Sequence, residues 1–161
     1  MKGEKTMKIG IFGGSFNPPH NIHKKIAKTL IKKGYVDKVI FVPTGTKYEY
    51  KTNLISNEKR VDMLSLMIEK EQNMLISKYE LQEKAIYTYE TLKHFKKRYK
   101  NDDIYFICGT DNLSYIDKWK NGKEILENYK ILVIKRKTDK LEPLLEKYKP
   151  VSYTHLRAHE T

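Results

Sequence analysis

Two histidines three residues apart follow a glycine pair near the start of the chain. Gly13 and Gly14 come directly after a short apolar run, and His20 and His23 stand where a helical pattern begins. Glycines let the backbone approach a phosphate closely, and the amino terminus of a helix offers unpaired N–H groups and positive potential. Because side chains three positions apart share a helix face, the two imidazoles should project from the same turn. The pattern predicts a polyphosphate site.

The segment contains neither Gly-x-x-x-x-Gly-Lys-Ser/Thr nor Gly-x-Gly-x-x-Gly after a strand, which disfavours kinase-like phosphate-loop chemistry.

Two other interpretations of the histidine pair stay open. The pair could cap the helix without a catalytic task. Metal ligation is less favoured, since no third nitrogen, sulfur or carboxylate ligand is adjacent. As phosphate ligands, the imidazoles would donate hydrogen bonds to charge that develops during phosphoryl transfer.

Five apolar runs predict the strands that must position these residues. They are KIGIF, KVIFVP, NMLISKYEL, IYFICG and KILVIKR, and segments with helical periodicity separate them. Gly34 is expected to end the first helix, Asn57 to cap the second, and Thr88 or the loop before it to cap the third. The alternation predicts an α/β, Rossmann-like, doubly wound fold with a mostly parallel five-stranded sheet and helices on both faces. Ligands should collect at the carboxyl ends of its strands.

The composition limits the classes of protein that fit. A chain of 161 residues is enough for one domain, expected to span 1–161. No apolar stretch reaches the roughly 20 residues of a bilayer-spanning helix, and no signal peptide is recognisable, so we expect a cytoplasmic protein without a membrane partner. The one cysteine, Cys108, lies in an apolar run, which indicates a buried thiol rather than a catalytic one. The net charge of +12 favours any polyanion.

The two ends of the chain differ in character from the rest. One hypothesis is that residues 1–6 are an upstream extension and that residues 151–161, reading VSYTHLRAHET, are a non-native tail. The tail lacks the lysine-rich composition of the preceding segments and contains no complete predicted element. On that hypothesis the chain would carry a single domain whose carboxyl end is altered.

The segment from Gly13 to His23 resembles the Gly-Ser/Thr-Phe-Asp/Asn-Pro-x-His-x-Gly-His signature of the nucleotidyltransferase superfamily, especially the bacterial nicotinate-nucleotide adenylyltransferases. Ile22 stands where that signature has glycine. The resemblance covers about Met7 to Arg136 and implies transfer of AMP from ATP, with Mg²⁺, to nicotinic acid mononucleotide, giving deamido-NAD and pyrophosphate. It also implies that His20 and His23 are the catalytic residues, without a covalent enzyme intermediate.

Further motifs of the resemblance lie along the chain: Tyr87-Thr88-x-x-Thr91, Gly109-x-Asp111 and Lys118-Trp119. The implied ATP and phosphate ligands are Gly13, Gly14, Ser15, Phe16, Lys51, Gly109, Asp111 and Arg136. The implied acceptor ligands are Tyr87, Thr88, Thr91 and Trp119, whose indole would stack on the pyridine ring. The family's carboxyl-terminal phosphate clamp and closing helix would be missing if the tail is non-native.

Simpler structural roles stay open for several of these residues. Thr88 and Asp111 could each serve only as a helix cap, and Trp119 could belong to the core. Lys51 and Arg136 could be solvated loop residues.

Other functions also stay open. The acceptor could be nicotinamide mononucleotide or phosphopantetheine instead, or the chain could be a truncated, inactive nucleotide binder. A nucleic-acid-binding module is disfavoured because the lysines are dispersed over all the helices. The sequence leaves the oligomeric state and the choice between nicotinate and nicotinamide undetermined.

Overall fold

The computed structural model of the chain describes residues 6–46, 54–135 and the backbone of Tyr153–Arg157. The strands are β1 (Lys8–Gly14), β2 (Lys38–Pro43), β3 (Met74–Ile76), β4 (Asp103–Gly109), β5 (Lys130–Lys135) and β6 (Tyr153–Arg157). The helices are α1 (Asn21–Lys32), α2 (Asn57–Ile68), α3 (Thr88–Arg98), α4 (Thr110–Tyr115) and α5 (Gly122–Asn128). A 3₁₀ turn at Ile116–Lys118 joins α4 to the segment before α5.

The six strands form one parallel sheet in the order β3-β2-β1-β4-β5-β6. Ile11 on the central strand β1 lies opposite Ile40 on β2 and Phe106 on β4. Successive crossovers lead away from β1 in opposite directions, so a crevice opens where β1 and β4 end. The predicted α/β architecture and its five strands are confirmed. A sixth strand, β6, lies beside β5, where the polar sequence YTHLR predicts none.

Helices cover both faces of the sheet. On one face Leu92 and Phe95 of α3 pack with the Ile9 and Ile11 side chains of β1. On the other face Leu30 of α1 belongs to a separate buried cluster that includes Val39, Phe41 and Leu64. Because strand residues pack alternately into the two clusters, the strands are buried on both sides and their sequences are continuous apolar runs.

The prediction for the carboxyl end of α1 is correct, and the prediction for the amino-terminal cap of α2 is wrong. Gly34, just beyond α1, has a φ of 78°, the left-handed backbone that favours glycine after a helix. Asn57 is not the cap of α2, because Ser56 occupies that position and its hydroxyl accepts a hydrogen bond from the Lys59 N–H at 3.2 Å. The Asn57 side chain instead bonds the guanidinium of Arg60. Within the described residues, no helix is long and apolar enough to cross a bilayer.

Candidate active site

A cavity of about 780 Å³ opens at the carboxyl ends of the central strands. It is lined by Gly13, Gly14, Thr44, Glu80, Tyr87, Thr88, Phe106, Asn112, Tyr115, Lys118, Trp119 and Lys120. The lining residues come from the end of β1, the loop after β2, the segments before and at the start of α3, and the region between β4 and α5. The cavity therefore occupies the crevice expected for a doubly wound sheet, with a volume within the range of small-molecule sites.

The glycine turn after β1 is fixed by its neighbour strand. The Gly14 carbonyl accepts hydrogen bonds from the Thr44 N–H at 2.8 Å and from the Thr44 hydroxyl at 3.1 Å. Phe16 has a φ of 47° and is buried, with its ring edge-on to Phe12. A non-glycine residue in this conformation is uncommon and needs surrounding structure to hold it. The turn is thus rigidly held where it borders the cavity.

His20 and His23 begin α1 as a linked pair. His20 occupies the cap position, and its N–H donates to Nδ1 of His23 at 3.1 Å. Nδ1 therefore acts as an acceptor, so in the neutral ring the proton resides on Nε2, which can donate outward. Burial lowers the pKa of His23, and the nearby His20 lowers it further. His23 is consequently a neutral hydrogen-bond donor at neutral pH.

The capping interpretation of the histidines is partly correct. His23 caps the backbone of its own helix and packs edge-on against the Phe16 ring, with centroids 4.9 Å apart. Because capping uses only Nδ1, it leaves Nε2 available for a ligand. Ile22, which stands in place of the signature's glycine, is 39% exposed, so its side chain is accommodated at the surface.

Arg60 ties three loops together beneath the site. Its side chain is fully buried, at 0% exposure. The guanidinium donates to the carbonyls of Ile55 at 2.8 Å, Ser15 at 2.8 Å and Thr44 at 2.6 Å, and to Oδ1 of Asn57 at 2.6 Å. Burial lowers the pKa of Arg60, yet a guanidinium stays charged at neutral pH. A fixed cation therefore holds the Ser15 turn against the Thr44 loop.

Trp119 lines the cavity from the end of the 3₁₀ turn. The indole is half-buried, and its ring packs edge-on to Phe106 with centroids 6.1 Å apart. The Trp119 carbonyl accepts from the Gly122 N–H at 2.9 Å, and a Cβ on Gly122 would lie 1.7 Å from the Ile116 carbonyl oxygen. Only glycine fits there. Trp119 is thus both packed against the core and exposed to the cavity.

The start of α3 supplies Tyr87 and Thr88 to the cavity, while Thr91 has another role. Thr88 is the first residue of the helix and therefore not its cap. Tyr87 occupies the cap position, without a hydrogen bond from its side chain to the helix backbone. Thr91 is buried, and its hydroxyl lies 2.6 Å from Oε2 of Glu80. The Thr91 side chain therefore contacts Glu80 rather than the open cavity.

Gly109 ends β4 at the adjoining edge, and Asp111 follows it. Gly109 is the residue before α4, and Asp111 lies exposed in the first helical turn, so Asp111 is not a cap. Its carboxylate is placed beside the positive end of that helix. Cys108, the last buried residue of β4, has its pKa raised by burial to about 12. As predicted, it is an inert buried thiol.

Comparison with known proteins relates this geometry to one group of enzymes. A cytidylyltransferase-like family model matches residues 11–159. A Clostridium tetani protein named "Probable nicotinate-nucleotide adenylyltransferase" is 39% identical over 146 residues, covering 89% of this chain and 73% of its own length. The chain belongs to the nicotinate-nucleotide adenylyltransferase family. A Clostridium acetobutylicum member is 41% identical over 131 residues, covering 80% of this chain and 66% of that protein.

A solved structure supports the fold independently. The nicotinic acid mononucleotide adenylyltransferase of Plasmodium falciparum, complexed with NaAD, superposes with a TM-score of 0.82 and covers 94% of this chain and 75% of that one. Its sequence is 22% identical, so the likeness concerns the arrangement of strands and helices.

The site residues implied by the family resemblance fall into three groups in the structure. Those that line the cavity are Gly13, Gly14, Tyr87, Thr88 and Trp119. Those on the same edge but outside the cavity lining are Ser15, Phe16, His20, His23, Thr91, Gly109 and Asp111. Lys51 and Arg136 lie outside the described residues, so their proposed roles stay predictions.

Two buried polar residues, Arg60 and Glu80, were not among the site residues predicted from the sequence. Arg60 looks like an ordinary helix residue in the sequence, and Glu80 follows a weak strand pattern. A signal was present for Arg60, because it falls on the same helical face as Leu64 and Ile68, where an arginine is rare unless its charge is satisfied. No comparable local signal marks Glu80, whose partner is in a different element.

Proposed function

We propose that this chain transfers the adenylyl group of ATP to the phosphate of nicotinic acid mononucleotide. A phosphate oxygen of the mononucleotide attacks the α-phosphorus of ATP in line, a new P–O bond forms, and the α–β P–O bond breaks. The products are the dinucleotide deamido-NAD and pyrophosphate. Such a displacement needs positioning and charge stabilisation rather than a covalent enzyme intermediate.

The observation behind this proposal is a single cavity. Its lining includes residues predicted to contact ATP and residues predicted to contact the mononucleotide. The lining of this cavity includes Gly13 and Gly14 of the glycine turn, and also Thr88 and Trp119. Glycines without side chains allow close approach of a triphosphate, while a half-buried indole offers a face to an aromatic ring. Both substrates can therefore meet in one cavity.

His20 and His23 are proposed as the donors to the phosphates. His23 is neutral with its Nε2–H free of the capping bond, and His20 is exposed beside it, with ring centroids 6.1 Å apart. Preorganised donors of this kind stabilise charge that develops during transfer. Ser15, Phe16 and the Gly109-to-Asp111 segment are proposed to frame the nucleotide around them.

Lysines and a helix start favour an acceptor with a carboxylate. Lys118 and Lys120 line the cavity beside Trp119, and Thr88 opens α3 at the same wall. The first N–H groups of a helix and nearby ammonium groups bind an anion better than a neutral amide. We therefore propose nicotinate rather than nicotinamide mononucleotide as the preferred acceptor.

ATP is proposed to enter as its magnesium complex. Among the residues that the structure describes, no group of three His, Cys, Asp or Glu side chains is placed to hold one ion. When bound with ATP, Mg²⁺ would neutralise charge that develops on the triphosphate during transfer. We also propose a cytoplasmic location, which suits a reaction that consumes ATP.

The test is a direct assay of the purified protein. It is incubated with Mg-ATP and either mononucleotide, and both pyrophosphate and dinucleotide are quantified, with ATP alone as the blank. We expect stoichiometric dinucleotide and pyrophosphate, with a higher kcat/KM for the nicotinate form. Absence of dinucleotide with both acceptors would reject the proposed function, and equal efficiency with both would reject the acceptor preference.

A further inference from the structure

A buried carboxyl group borders the acceptor end of the cavity. Glu80 is 8% exposed and is among the lining residues, together with Tyr87 and Thr88. Burying a carboxylate is costly unless a cation pairs with it. Its described hydrogen-bond partner is the Thr91 hydroxyl, at 2.6 Å, which is a neutral group.

The hydrogen bonds around Thr91 differ with the protonation of Glu80. The Thr91 hydroxyl lies 2.6 Å from Oε2 of Glu80 and 3.3 Å from the Tyr87 carbonyl. A hydroxyl has one proton to donate. If Glu80 is ionised, Thr91 donates to it and cannot donate to Tyr87. If Glu80 is protonated, it donates to Thr91, and Thr91 donates onward to the Tyr87 carbonyl at the start of α3.

The charged and titratable groups near Glu80 fall on three segments. On α3 they are Glu90, which opposes ionisation of Glu80, and His94. Beside Glu80 in its own segment is Tyr79, stacked on His94. Lys118 and Lys120, which follow α4, also line the cavity. Lys120 pairs with Glu90 at 3.5 Å. Gly45, which approaches the Glu80 backbone from the loop after β2, and its neighbour Thr44 carry no charge. Burial, opposed by the Thr91 bond and aided by Glu90, raises the pKa of Glu80 to about 7.

Resting on the proposed function, we infer that Glu80 is a specificity-determining residue of the acceptor site. Protonated, it anchors Thr91 to the Tyr87 carbonyl and leaves the pyridine end of the cavity free of its negative charge, which admits an acceptor carboxylate. Ionised, it repels that carboxylate but not a neutral carboxamide. Discrimination between nicotinate and nicotinamide therefore depends on a proton held by the protein.

The sign of the pH dependence follows directly. Below pH 7 Glu80 is mostly neutral and the nicotinate form is favoured; as the pH rises through that value, the carboxylate acceptor is increasingly disfavoured. The ratio of kcat/KM for the two mononucleotides is the quantity to measure, because both carry the same phosphate and ribose. Titration of those groups, of ATP and of the histidines then cancels.

The experiment compares wild type with two variants. Glu80→Gln replaces the buried carboxyl group by a neutral isostere. Glu127→Gln is the matched control, because it removes an exposed carboxylate on α5. From pH 6 to pH 8.5 we expect the nicotinate-to-nicotinamide ratio to fall about tenfold or more in wild type and the control. In Glu80→Gln it should change less than about twofold. An equal pH dependence in all three proteins, or a flat ratio in wild type, would overturn the inference.

A second measurement does not require turnover. An acceptor carboxylate beside Glu80 should raise its affinity for a proton, so binding of nicotinic acid mononucleotide at pH 7.5 should take up more protons than binding of the nicotinamide form. Calorimetry in two buffers of different ionisation enthalpy measures that uptake, and Glu80→Gln should abolish the difference. An undiminished difference in Glu80→Gln would place the titrating group elsewhere.

A second variant covers the case in which Glu80→Gln folds poorly. Thr91→Val keeps the side-chain shape but removes the hydroxyl that links Glu80 to Tyr87, so KM for the nicotinate acceptor should rise at pH 6 while KM for ATP stays unchanged. Equal changes in both KM values would overturn the positioning role of Thr91. If wild type forms no dinucleotide at all, the proposed function fails instead, which is a distinct result.

Discussion

Replacing Arg60 by methionine removes the cation that joins the Ser15 turn, the Thr44 loop and the start of α2. Four hydrogen bonds of 2.6 to 2.8 Å would be lost. Each bond to a charged group contributes about 1.5–3 kcal/mol. Their simple sum overstates the loss, because burying the guanidinium itself costs several kcal/mol and methionine retains the apolar contacts.

We therefore expect Arg60→Met to lower the free energy of unfolding by about 2–4 kcal/mol. For a domain of this length that corresponds to a fall in Tm of about 5–15 °C. The Ser15 turn loses its anchor at the same time, so KM for ATP should rise about tenfold or more, while KM for the acceptor changes less.

Two further variants separate charge from geometry. Arg60→Lys keeps the positive charge but offers three donors on a single nitrogen, so it cannot reproduce the fork and should give an intermediate loss of Tm. Arg98→Met removes an exposed arginine at the end of α3 and should change neither Tm nor KM. Thermal unfolding and steady-state kinetics on the four proteins provide the check. If Arg60→Met matched Arg98→Met in both measurements, the role given to Arg60 would be refuted.

Three other outcomes are expected from the same site. Alanine at His20 or at His23 should lower kcat by about a hundred- to a thousandfold. His23→Ala should also lower the free energy of unfolding by about 1 kcal/mol, because the cap is lost. Near-normal turnover in both variants would leave capping as the only role of these residues. Trp119→Ala should raise KM for the acceptor far more than KM for ATP, because ring stacking contributes about 1–3 kcal/mol to binding. An unchanged acceptor KM would assign the indole to the core alone. Cys108 should resist a thiol reagent at pH 8 in the folded protein and react after denaturation. The reason is that burial raises the pKa of this thiol to about 12, which keeps it protonated. Rapid labelling of the native protein would contradict its burial.

Local features of the site were predictable because their determinants lie close together in the chain. The glycine pair, the histidine pair and the helix that they open all fall between Gly13 and Lys32. The alternation of apolar runs likewise predicted the parallel sheet, since strands buried on both faces need continuous apolar sequence. Even so, the cap of α2 was misassigned by one residue, to Asn57 instead of Ser56. The cap position of α3 is Tyr87, in the loop that was the second candidate for that cap.

Long-range polar contacts were not predictable. The Arg60 partners Ser15 and Thr44 lie 45 and 16 residues away, and the Glu80 partner Thr91 lies across a loop, 11 residues away. A single sequence carries no information on which carbonyl a buried guanidinium will meet. The bond from Thr91 to Glu80 was unpredictable for the same reason, because the hydroxyl meets that carboxyl group only once α3 has packed.

The bond from the His20 N–H to Nδ1 of His23 limits what this histidine can do. An imidazole that relays protons must accept on one nitrogen while it releases from the other. Here the accepting lone pair is occupied by the main chain of its own helix. His23 can therefore polarise a ligand but cannot shuttle its proton to a neighbouring group. Turning the ring to free that nitrogen would break the bond that holds the first turn of α1. The electrostatic role proposed for His23 and the integrity of the helix therefore depend on the same ring orientation.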